Sequence, residues 1–208
     1  MGGFASAWDA RSLLERRSLL TRLAEAADEV GLCLQLHAGT LLGAVREGQI
    51  LEWDDDIDFL TTEPGKLGAL SLALGRRGLA LFAHSGEGEG CLKVYDPSFR
   101  EIPGQPYGPY TWPFACIFVF HEVGEAFECR CAYDRVRTPR AHLFPGRPAQ
   151  PLDDAVFWMP EAPLPILDAA YPGWRQEEVS SGWNHRLEQA EPDPTERRPI
   201  TTVEGRKR

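Results

Sequence analysis

Proline is distributed very unevenly along this chain of 208 residues, and its placement restricts where helices can form. Sixteen of the 17 prolines lie after residue 96. Because proline has no N–H to donate and clashes with the preceding helical turn, long helices are expected only in the first half. The second half is expected to contain short strands separated by Gly/Pro-rich loops.

The spacing of apolar residues predicts the individual elements. From Ala10 to Val30 they recur at intervals of three and four, with Asp9 as the N-cap and Gly31 just beyond the end, which predicts an amphipathic helix. A second helix is expected from Pro64 to about Arg77. A short helix or turn is expected at 39–47 and a short helix at 163–171. Strands are expected at 32–37, 57–60, 79–83, 91–95, 115–120, 126–133 and 156–159.

Composition indicates one globular domain. With 43% apolar residues the chain can build a substantial core, which we expect over residues 1–190. Residues 191–208 contain only Ile200 and Val203 as large apolar residues, so a disordered C-terminal tail is expected there. No apolar run approaches the roughly 18–20 residues that would span a bilayer, so no integral membrane segment is expected.

Charge and cysteine content argue against a nucleic-acid-binding protein and against a zinc-binding protein. The formal net charge is −9, and no basic stripe occurs before the last few residues, which argues against nucleic-acid binding. Five cysteines occur without a CxxC motif or a Cys/His pair at zinc spacing, as expected of reduced buried thiols. The first residues lack a basic start and an apolar segment, so a cytoplasmic protein is expected.

An acidic cluster is the most informative part of the sequence. Residues 39–59 read GTLLGAVREGQILEWDDDIDF, with four aspartates in five positions. On a strand, residues two apart share a face, so Asp56 and Asp58 project together, with Asp54 as a candidate third member. Carboxylates this close repel one another unless a cation lies between them, and hard oxygen ligands suit Mg²⁺ or Mn²⁺. A solvated acidic turn is disfavoured, because apolar residues are interleaved with the acids.

A glycine turn precedes the acidic cluster. Gly39 and Thr40 lie between an expected strand and a helix start, where glycine permits close backbone approach and free N–H groups can bind an anion. Gly-Thr by itself is a weak signal. Its position before paired aspartates suggests that a phosphate site and a metal site converge on one ligand.

The same residues resemble the signature of the LicD/fukutin-related family of the nucleotidyltransferase superfamily. Family members read approximately G-T-L-L-G-x-h-R, then a spacer, then W-D-D-D-h-D, where h is hydrophobic. Segments 39–43 and 53–58 match this pattern, as does Arg46. Weaker echoes occur at 92–94, 142–145 and 167–174, so the resemblance extends over about residues 30–175.

The resemblance implies an α/β fold, a mixed sheet flanked by helices, and Mg²⁺-dependent transfer of a phospho-alcohol. Family donors are CDP-activated, such as CDP-choline or CDP-ribitol, and acceptors are hydroxyls of a sugar or glycan. By match, Asp56 and Asp58 correspond to the metal-binding pair, and Gly39-Thr40 to the donor-phosphate turn. Arg46 is the family's arginine, whose planar group suits phosphate.

One residue departs from the family pattern. The family carries a further aspartate on a later strand, and Cys116 stands at the corresponding position here. We expect Cys116 to face the same cleft as Asp56 and Asp58. Either another acid substitutes, with Asp96, Glu101 and Glu122 nearest in sequence, or catalysis is impaired.

Two other features leave alternatives open. Lys93 could neutralise a donor phosphate or be a solvated lysine at a strand edge. The aromatic segment 103–113 is expected to be a long loop, whose Tyr107, Tyr110 and Trp112 could stack a base or sugar or could pack on the core.

Three functional hypotheses therefore remain. The first is a metal-dependent phospho-alcohol transferase, and the second is nucleotidyl transfer from a nucleoside triphosphate. The third is a non-catalytic descendant that binds a nucleotide or glycan, with Cys116 as the mark of lost activity.

Overall fold

The computed structural model describes residues 4–83, 90–104, 107–131, 136–179, 182–190 and 197–199. The amphipathic segment forms helix α1 (Ala10–Val30), as predicted. The Asp9 carboxylate accepts the N–H of Ser12, whose hydroxyl accepts the N–H of Asp9 in return, and Gly31 ends the helix with φ 62°. Such reciprocal capping and a left-handed glycine are typical helix ends. The local sequence is therefore sufficient to specify α1.

The remaining elements alternate between short helices and strands. The helices are α2 (Ala38–Arg46), α3 (Leu67–Gly75) after a 3₁₀ turn at Pro64–Lys66, α4 (Arg140–Leu143) and α5 (Pro163–Ala170). The first seven strands are β1 (Gln35–Leu36), β2 (Asp58–Thr61), β3 (Ala80–Ala83), β4 (Cys91–Glu101), β5 (Thr111–Val123), β6 (Ala126–Cys129) and β7 (Arg137–Pro139). The later ones are β8 (Arg147–Pro148), β9 (Trp158–Met159), β10 (Glu177–Val179), β11 (Trp183–Asn184), β12 (Gln189–Ala190) and β13 (Arg197–Pro199).

A mixed sheet organises the domain, in agreement with the predicted α/β class. Its strand order is β3-β4-β5-β2-β1-β9-β8, and the far end of β5 continues through β6 into β7. The β2–β5 and β1–β9 pairs are parallel, and the other pairs of this sheet are antiparallel. Helices α1 and α3 pack together, with α1 also against β4 and β5, while α2 contacts β2 and α5. The strand β5 is thus central, and its first ten residues are buried.

The structure corrects several predicted boundaries. The strand expected at 32–37 is reduced to Gln35–Leu36, and the strand expected at 91–95 continues to Glu101. The segment 103–113 is not loop throughout, because β5 already begins at Thr111 and pairs there with the end of β4. This pairing joins residues about ten positions apart, and neither segment has a strand pattern of its own that would reveal it.

Two tryptophans connect this sheet to the acidic loop. The Trp8 and Trp112 rings stack with their centroids 4.9 Å apart, and both side chains are buried. The Trp8 Nε1–H donates to the carbonyl of Asp54 at 2.7 Å, and the Trp112 Nε1–H donates to the carbonyl of Asp55 at 2.6 Å. The backbone that carries the aspartates is therefore held by two buried indoles.

The C-terminal region lies partly outside the described residues. Of the predicted tail 191–208, the structure describes 197–199, which form β13 and pair with β10. The predicted strand at 126–133 is described only as far as residue 131, and it ends at Cys129. In the described part of the chain, no helix is both long and apolar enough to cross a membrane.

Candidate functional site

A cavity of about 880 Å³ opens on one face of the sheet near β2 and β5. Its polar lining includes Asp56, Asp58, Lys93, Cys116, His185 and Glu188. Its apolar lining includes Phe118 of β5 and several residues of α5 and its end, among them Ile166, Leu167 and Tyr171. A charged floor is therefore combined with a largely apolar wall, as in sites that orient a small molecule through a few polar groups.

The register of three adjacent strands builds the floor. Asp58 of β2 pairs with Cys116 of β5, and Cys116 pairs in turn with Lys93 of β4. Residues paired across neighbouring strands point to the same face of a sheet, so these three side chains converge. The Lys93 Nζ lies 3.8 Å from Cys116 Sγ. The prediction that Cys116 faces the same cleft as the aspartates is thereby confirmed.

The aspartate pair has the properties of a cation site. Single ligand atoms of Asp56, Asp58 and Cys116 lie within 4.8 Å of one another. Asp58 is only 6% exposed, and its Oδ1 has no hydrogen-bond partner among the described residues. Burial and the neighbouring charge of Asp56 raise the pKa of Asp58 well above its usual range. A buried, unpartnered carboxylate oxygen is costly unless a cation satisfies it, so these residues fit a divalent metal ion.

Asp54 lies against the start of α2, where Gly39 makes room for it. A Cβ atom added to Gly39 would collide with the carboxyl group of Asp54. Burial and the charge of Asp56 raise the pKa of Asp54 well above its usual range. The absence of a side chain at position 39 therefore lets the carboxyl group of Asp54 pack against the first turn of α2, where its Oδ2 has no hydrogen-bond partner among the described residues.

Thr40 is fully buried and holds the backbone of β2 at Asp58. Its hydroxyl oxygen accepts the backbone N–H of Asp58 at 2.8 Å, and its exposed fraction is 0%. The carbonyl of Asp58 accepts the N–H of His37 at 3.0 Å. The Gly39-Thr40 turn therefore positions two of the aspartates.

Asp55 connects the acidic loop to a hairpin near the C-terminal end of the described chain. Its Oδ2 accepts the backbone N–H of His185 at 2.9 Å, and burial raises the pKa of Asp55 to about 6. The hairpin consists of β11, a turn and β12. Through this contact, residues about 130 positions apart in the sequence meet at the cavity.

His185 and Glu188 enter the site from that hairpin. The His185 Nε2 lies 3.1 Å from Asp56 Oδ2, and its Nδ1 lies 3.3 Å from Glu188 Oε1. Burial lowers the pKa of His185, but the charge of Asp56 and the Glu188 contact outweigh it and raise that pKa to about 9. Glu188 Oε1 also lies 3.6 Å from Lys93 Nζ, which sits 3.5 Å from the centroid of the Phe114 ring. Acidic and basic groups thus alternate across the floor.

Residues 31–165 match the LicD/FKTN/FKRP nucleotidyltransferase domain family. This match covers well over half of the chain and includes the glycine turn, the aspartates, Lys93 and Cys116. The chain belongs to the LicD/FKTN/FKRP family. The predicted family membership is therefore confirmed, and the matched region contains β1–β9 and α2–α4.

Two solved structures of ANT(2″)-Ia are among those similar to this LicD/FKTN/FKRP chain. A crystal structure of ANT(2″)-Ia in complex with adenylyl-2″-tobramycin has 17% identity and a TM-score of 0.45, covering 76% of this chain and 79% of that one. A solution structure of the antibiotic-resistance factor ANT(2″)-Ia has 17% identity and a TM-score of 0.44, covering 83% and 78%. No curated protein matches the chain.

The structure gathers some of the residues predicted from the family pattern but not others. Asp56, Asp58 and Lys93 line the cavity, whereas Gly39, Thr40 and Arg46 are absent from the described lining. Arg46 lies in the last turn of α2, where its guanidinium packs over the Trp53 ring at 5.1 Å. Geometry at this position therefore does not support a direct phosphate contact by Arg46. Asp54 lies beside the pair, behind Gly39.

Sequence reasoning missed His185 and Glu188. The acids nearest to Cys116 in sequence are used elsewhere, since Asp96 pairs with Arg22 at 2.7 Å and Glu122 pairs with Arg140 at 2.5 Å. Glu101 is exposed at the end of β4. The only sequence signal for the hairpin is the run Gly182-Trp183-Asn184-His185, which matches no motif and lies beyond the family match.

Proposed function

We propose that this LicD/FKTN/FKRP-family chain is a metal-dependent transferase that moves a phospho-alcohol group from a CDP-activated donor to a hydroxyl of a sugar or glycan. Nucleotidyl transfer from a nucleotide donor is the related reaction that the same site could perform. Mg²⁺ or Mn²⁺ is the proposed cofactor. The donor and acceptor classes follow from the family resemblance, and the metal follows from the ligand chemistry.

One observation carries the proposal. The carboxylates of Asp56 and Asp58 converge on the floor of a cavity large enough for a nucleotide, and the buried Oδ1 of Asp58 has no hydrogen-bond partner among the described residues. Structural carboxylates in a core are normally satisfied by donors. An unsatisfied one facing a cavity supports a role in ligand binding.

Each polar residue of the cavity floor would have a distinct role in the proposed reaction. Asp56 and Asp58 would hold the ion, while Thr40 keeps Asp58 in place through its backbone N–H. A bound divalent cation would neutralise donor phosphate charge and increase the acidity of an attacking hydroxyl. Lys93 would face the donor phosphates from β4, on the other side of β5 from Asp58.

The apolar wall would hold the uncharged parts of the substrates. Tyr107 and Tyr171 line the cavity and offer aromatic faces on which a base or sugar ring can stack. Tyr110 and Trp112 are buried, each 1% exposed, so they support the wall rather than contact a ligand. The core-packing alternative for these two residues is therefore the one that this geometry supports.

The test combines binding with turnover. Calorimetry should detect CDP-choline, CDP-ribitol or a nucleoside triphosphate binding to the full chain more tightly when Mn²⁺ or Mg²⁺ is present. Release of CMP from a CDP-alcohol in the presence of sugar acceptors, or of pyrophosphate from a triphosphate, would then report transfer. The double variant Asp56→Asn/Asp58→Asn should lose the metal-dependent part of the affinity.

A matched control separates this effect from a general loss of charge. Asp154→Asn removes an exposed carboxylate that pairs with Arg17 at 3.2 Å on the surface, so it should leave metal and donor binding unchanged. Equal metal affinity in the double variant and in Asp154→Asn would refute the assignment of the metal site.

Cys116 favours a second candidate, a non-catalytic protein that binds a nucleotide or glycan. A hydrogen bond with Cys91 and burial raise the pKa of Cys116 well above its usual range, so the thiol stays neutral and is a poor ligand for Mg²⁺. Metal-dependent nucleotide binding without release of CMP or pyrophosphate from any donor would favour this candidate.

A further inference from the structure

A hairpin near the C-terminal end of the described chain covers part of the cavity floor. It consists of β11, a turn and β12, and it lies beyond residue 165, where the family match ends. Three of its side chains, Trp183, His185 and Glu188, line the cavity. The hairpin therefore brings its own polar groups beside the residues that the proposed reaction uses.

His185 occupies one of the proposed metal ligands. Its Nε2 lies 3.1 Å from Asp56 Oδ2, which is the distance of an ordinary ion pair. The ring is held in this orientation, because its Nδ1 contacts Glu188 Oε1 at 3.3 Å and its plane stands perpendicular to the Phe114 ring, with centroids 5.6 Å apart. A metal ion that approaches this oxygen of Asp56 must therefore compete with the imidazole.

Glu188 occupies the lysine that is proposed to face the donor phosphates. Its Oε1 lies 3.6 Å from Lys93 Nζ, and each of these two side chains is only 3% exposed. A phosphate that approaches Lys93 is repelled by the Glu188 carboxylate, and this repulsion is strong where water is excluded. A donor phosphate must therefore displace Glu188 before it can pair with Lys93.

The turn of the hairpin is held in a strained conformation. Glu188 has a φ of 49°, in the left-handed region that residues other than glycine rarely adopt. Its Oε2 accepts the Trp183 Nε1–H at 3.2 Å. Strain of this kind persists only where the surroundings fix the residue, and it occurs often in switch regions. Loss of the contacts to the cavity floor would therefore let the turn relax.

Asp55 anchors the hairpin without being one of the groups that the hairpin covers. Its Oδ2 accepts the backbone N–H of His185 at 2.9 Å and that of Arg186 at 3.4 Å, and it lies 3.6 Å from the Arg186 Nε. The backbone between His185 and Glu188 is thus attached to the loop that carries Asp56. This attachment keeps both side chains at the site, so their competition with a ligand is intramolecular.

We propose that the β11–β12 hairpin is an internal competitor of the metal ion and the donor, in which His185 occupies Asp56 in place of the ion and Glu188 occupies Lys93 in place of a phosphate. This competition rests on the proposed function and regulates the same site. A ligand that binds only the open form loses affinity in proportion to the closed population. About ten closed molecules for each open one weaken the apparent affinity about tenfold.

The opposite role for the hairpin is a strap that completes the site and holds the ligands. The two roles differ in the sign of one effect. If the hairpin is a competitor, removing its contacts tightens ligand binding, whereas if it is a strap, removing them weakens binding. Affinities of hairpin variants therefore distinguish the two roles without any measurement of turnover.

The first measurement is calorimetry on the full chain with each ligand in turn. His185→Ala frees Asp56 and should tighten the binding of Mn²⁺ alone about threefold or more. Glu188→Gln keeps the size of the side chain but removes its charge, and it should tighten the binding of CDP at saturating Mn²⁺ by a similar factor. His121→Ala and Glu122→Gln, at the outer end of β5, are the matched controls and should leave both affinities unchanged.

The second measurement separates release of the hairpin from a simple change of charge. Asp55→Ala removes a negative charge beside the metal site, and by Coulomb's law alone this change weakens cation binding. The same variant removes the anchor of the hairpin, so the competitor role gives the opposite sign, a tighter binding of Mn²⁺. Circular dichroism melts verify that each variant is folded, and Asp55→Asn is the milder variant to use where Asp55→Ala does not fold.

The outcomes distinguish this inference from the proposed function. Unchanged or weaker binding by any one of the folded hairpin variants, while the wild type binds Mn²⁺ and CDP, would overturn the competitor role and leave the proposed function standing. No binding by the wild type or by any folded variant would overturn both. Binding that tightens, or first appears, in all three variants supports both.

Discussion

Asp58 and Cys116 occupy paired positions on the adjacent parallel strands β2 and β5, where the N–H of Cys116 donates to the carbonyl of Ile57 at 2.7 Å. Their side chains consequently lie on one face of the sheet, beside Asp56. A thiol thus stands directly next to a carboxylate that lacks a hydrogen-bond partner among the described residues. Because the thiol and the carboxylate are adjacent, adding or removing a charge at either position should change the stability and the metal affinity of the protein.

Adding a carboxylate at position 116 should make the protein more dependent on metal. In Cys116→Asp a further negative charge joins the buried cluster, so the metal-free free energy of unfolding should fall by about 1–3 kcal/mol. Mg²⁺ should then raise the melting temperature more than it does in the wild type, because a hard oxygen ligand replaces sulfur. Thermal melts with EDTA and with Mg²⁺ measure both effects. Cys116→Ser, which adds no charge, is the control, and an equal Mg²⁺ shift in all three proteins would contradict the prediction.

Removing the Asp58 carboxylate should not destabilise the metal-free protein. Asp58 is buried without a described partner for Oδ1, and its pKa is raised by burial and by Asp56, so its charge opposes folding. Asp58→Asn, which leaves the ion pair of Asp56 with His185 in place, should therefore unfold in EDTA at a urea midpoint equal to or above that of the wild type. A clearly lower midpoint would mean that the Asp58 carboxylate stabilises the fold itself.

Gly39 should tolerate no side chain while Asp54 is present. A Cβ at position 39 collides with the Asp54 carboxyl group, so Gly39→Val should lower the melting temperature and disturb metal and donor binding. Combining the change with Asp54→Ala removes the colliding atoms and should recover stability, a coupling that a double-mutant cycle measures. Gly68→Ala, on α3 with no atom within 4 Å of the added Cβ, is the neutral control. Equal losses with and without Asp54 would show that the turn is intolerant for another reason.

Thr40 should contribute to stability through the backbone of Asp58. Thr40→Val leaves the buried N–H of Asp58 without its acceptor, which should cost about 1–3 kcal/mol of unfolding free energy. Thr40→Ser keeps the hydroxyl and should lose less. Urea denaturation measures the stabilities, and calorimetry with Mn²⁺ tests whether the Val variant also binds metal more weakly. Equal stability of the Ser and Val variants would show that the hydroxyl is dispensable.

The cap of α1 should give the protein an acid-dependent component of stability. Hydrogen bonds from Ser12, with a smaller effect of Arg100, lower the pKa of Asp9 from 3.8 to about 2. Because the folded pKa is depressed, this contribution is fully present above pH 4 and is lost as the pH falls towards 2. Asp9→Asn keeps a capping oxygen but does not titrate, so the difference in urea midpoint between wild type and variant should shrink over that interval. A constant difference from pH 5 to pH 2 would contradict this role.

Local sequence alone determined several parts of this protein. Helix α1 follows from apolar spacing with a polar N-cap and a glycine C-cap, and each of these signals acts within a few residues. Residues 39–59 likewise predicted that Asp56 and Asp58 lie on one face near the start of a strand, and that the chain belongs to the LicD/FKTN/FKRP family. Both predictions use short-range periodicity and motif spacing, which do not depend on tertiary contacts.

Only the tertiary structure decided which residues surround those aspartates. Thr40 and Gly39 became supports for Asp58 and Asp54 because α2 packs against β2, and Arg46 was carried to the far end of that helix. The hairpin with His185 and Glu188 reaches Asp55 and Asp56 across about 130 residues of chain. Such contacts result from the order of the strands and from the docking of loops. Both depend on packing free energy that is shared among segments distant in sequence. Neither therefore produces a local sequence pattern from which the contact could be predicted.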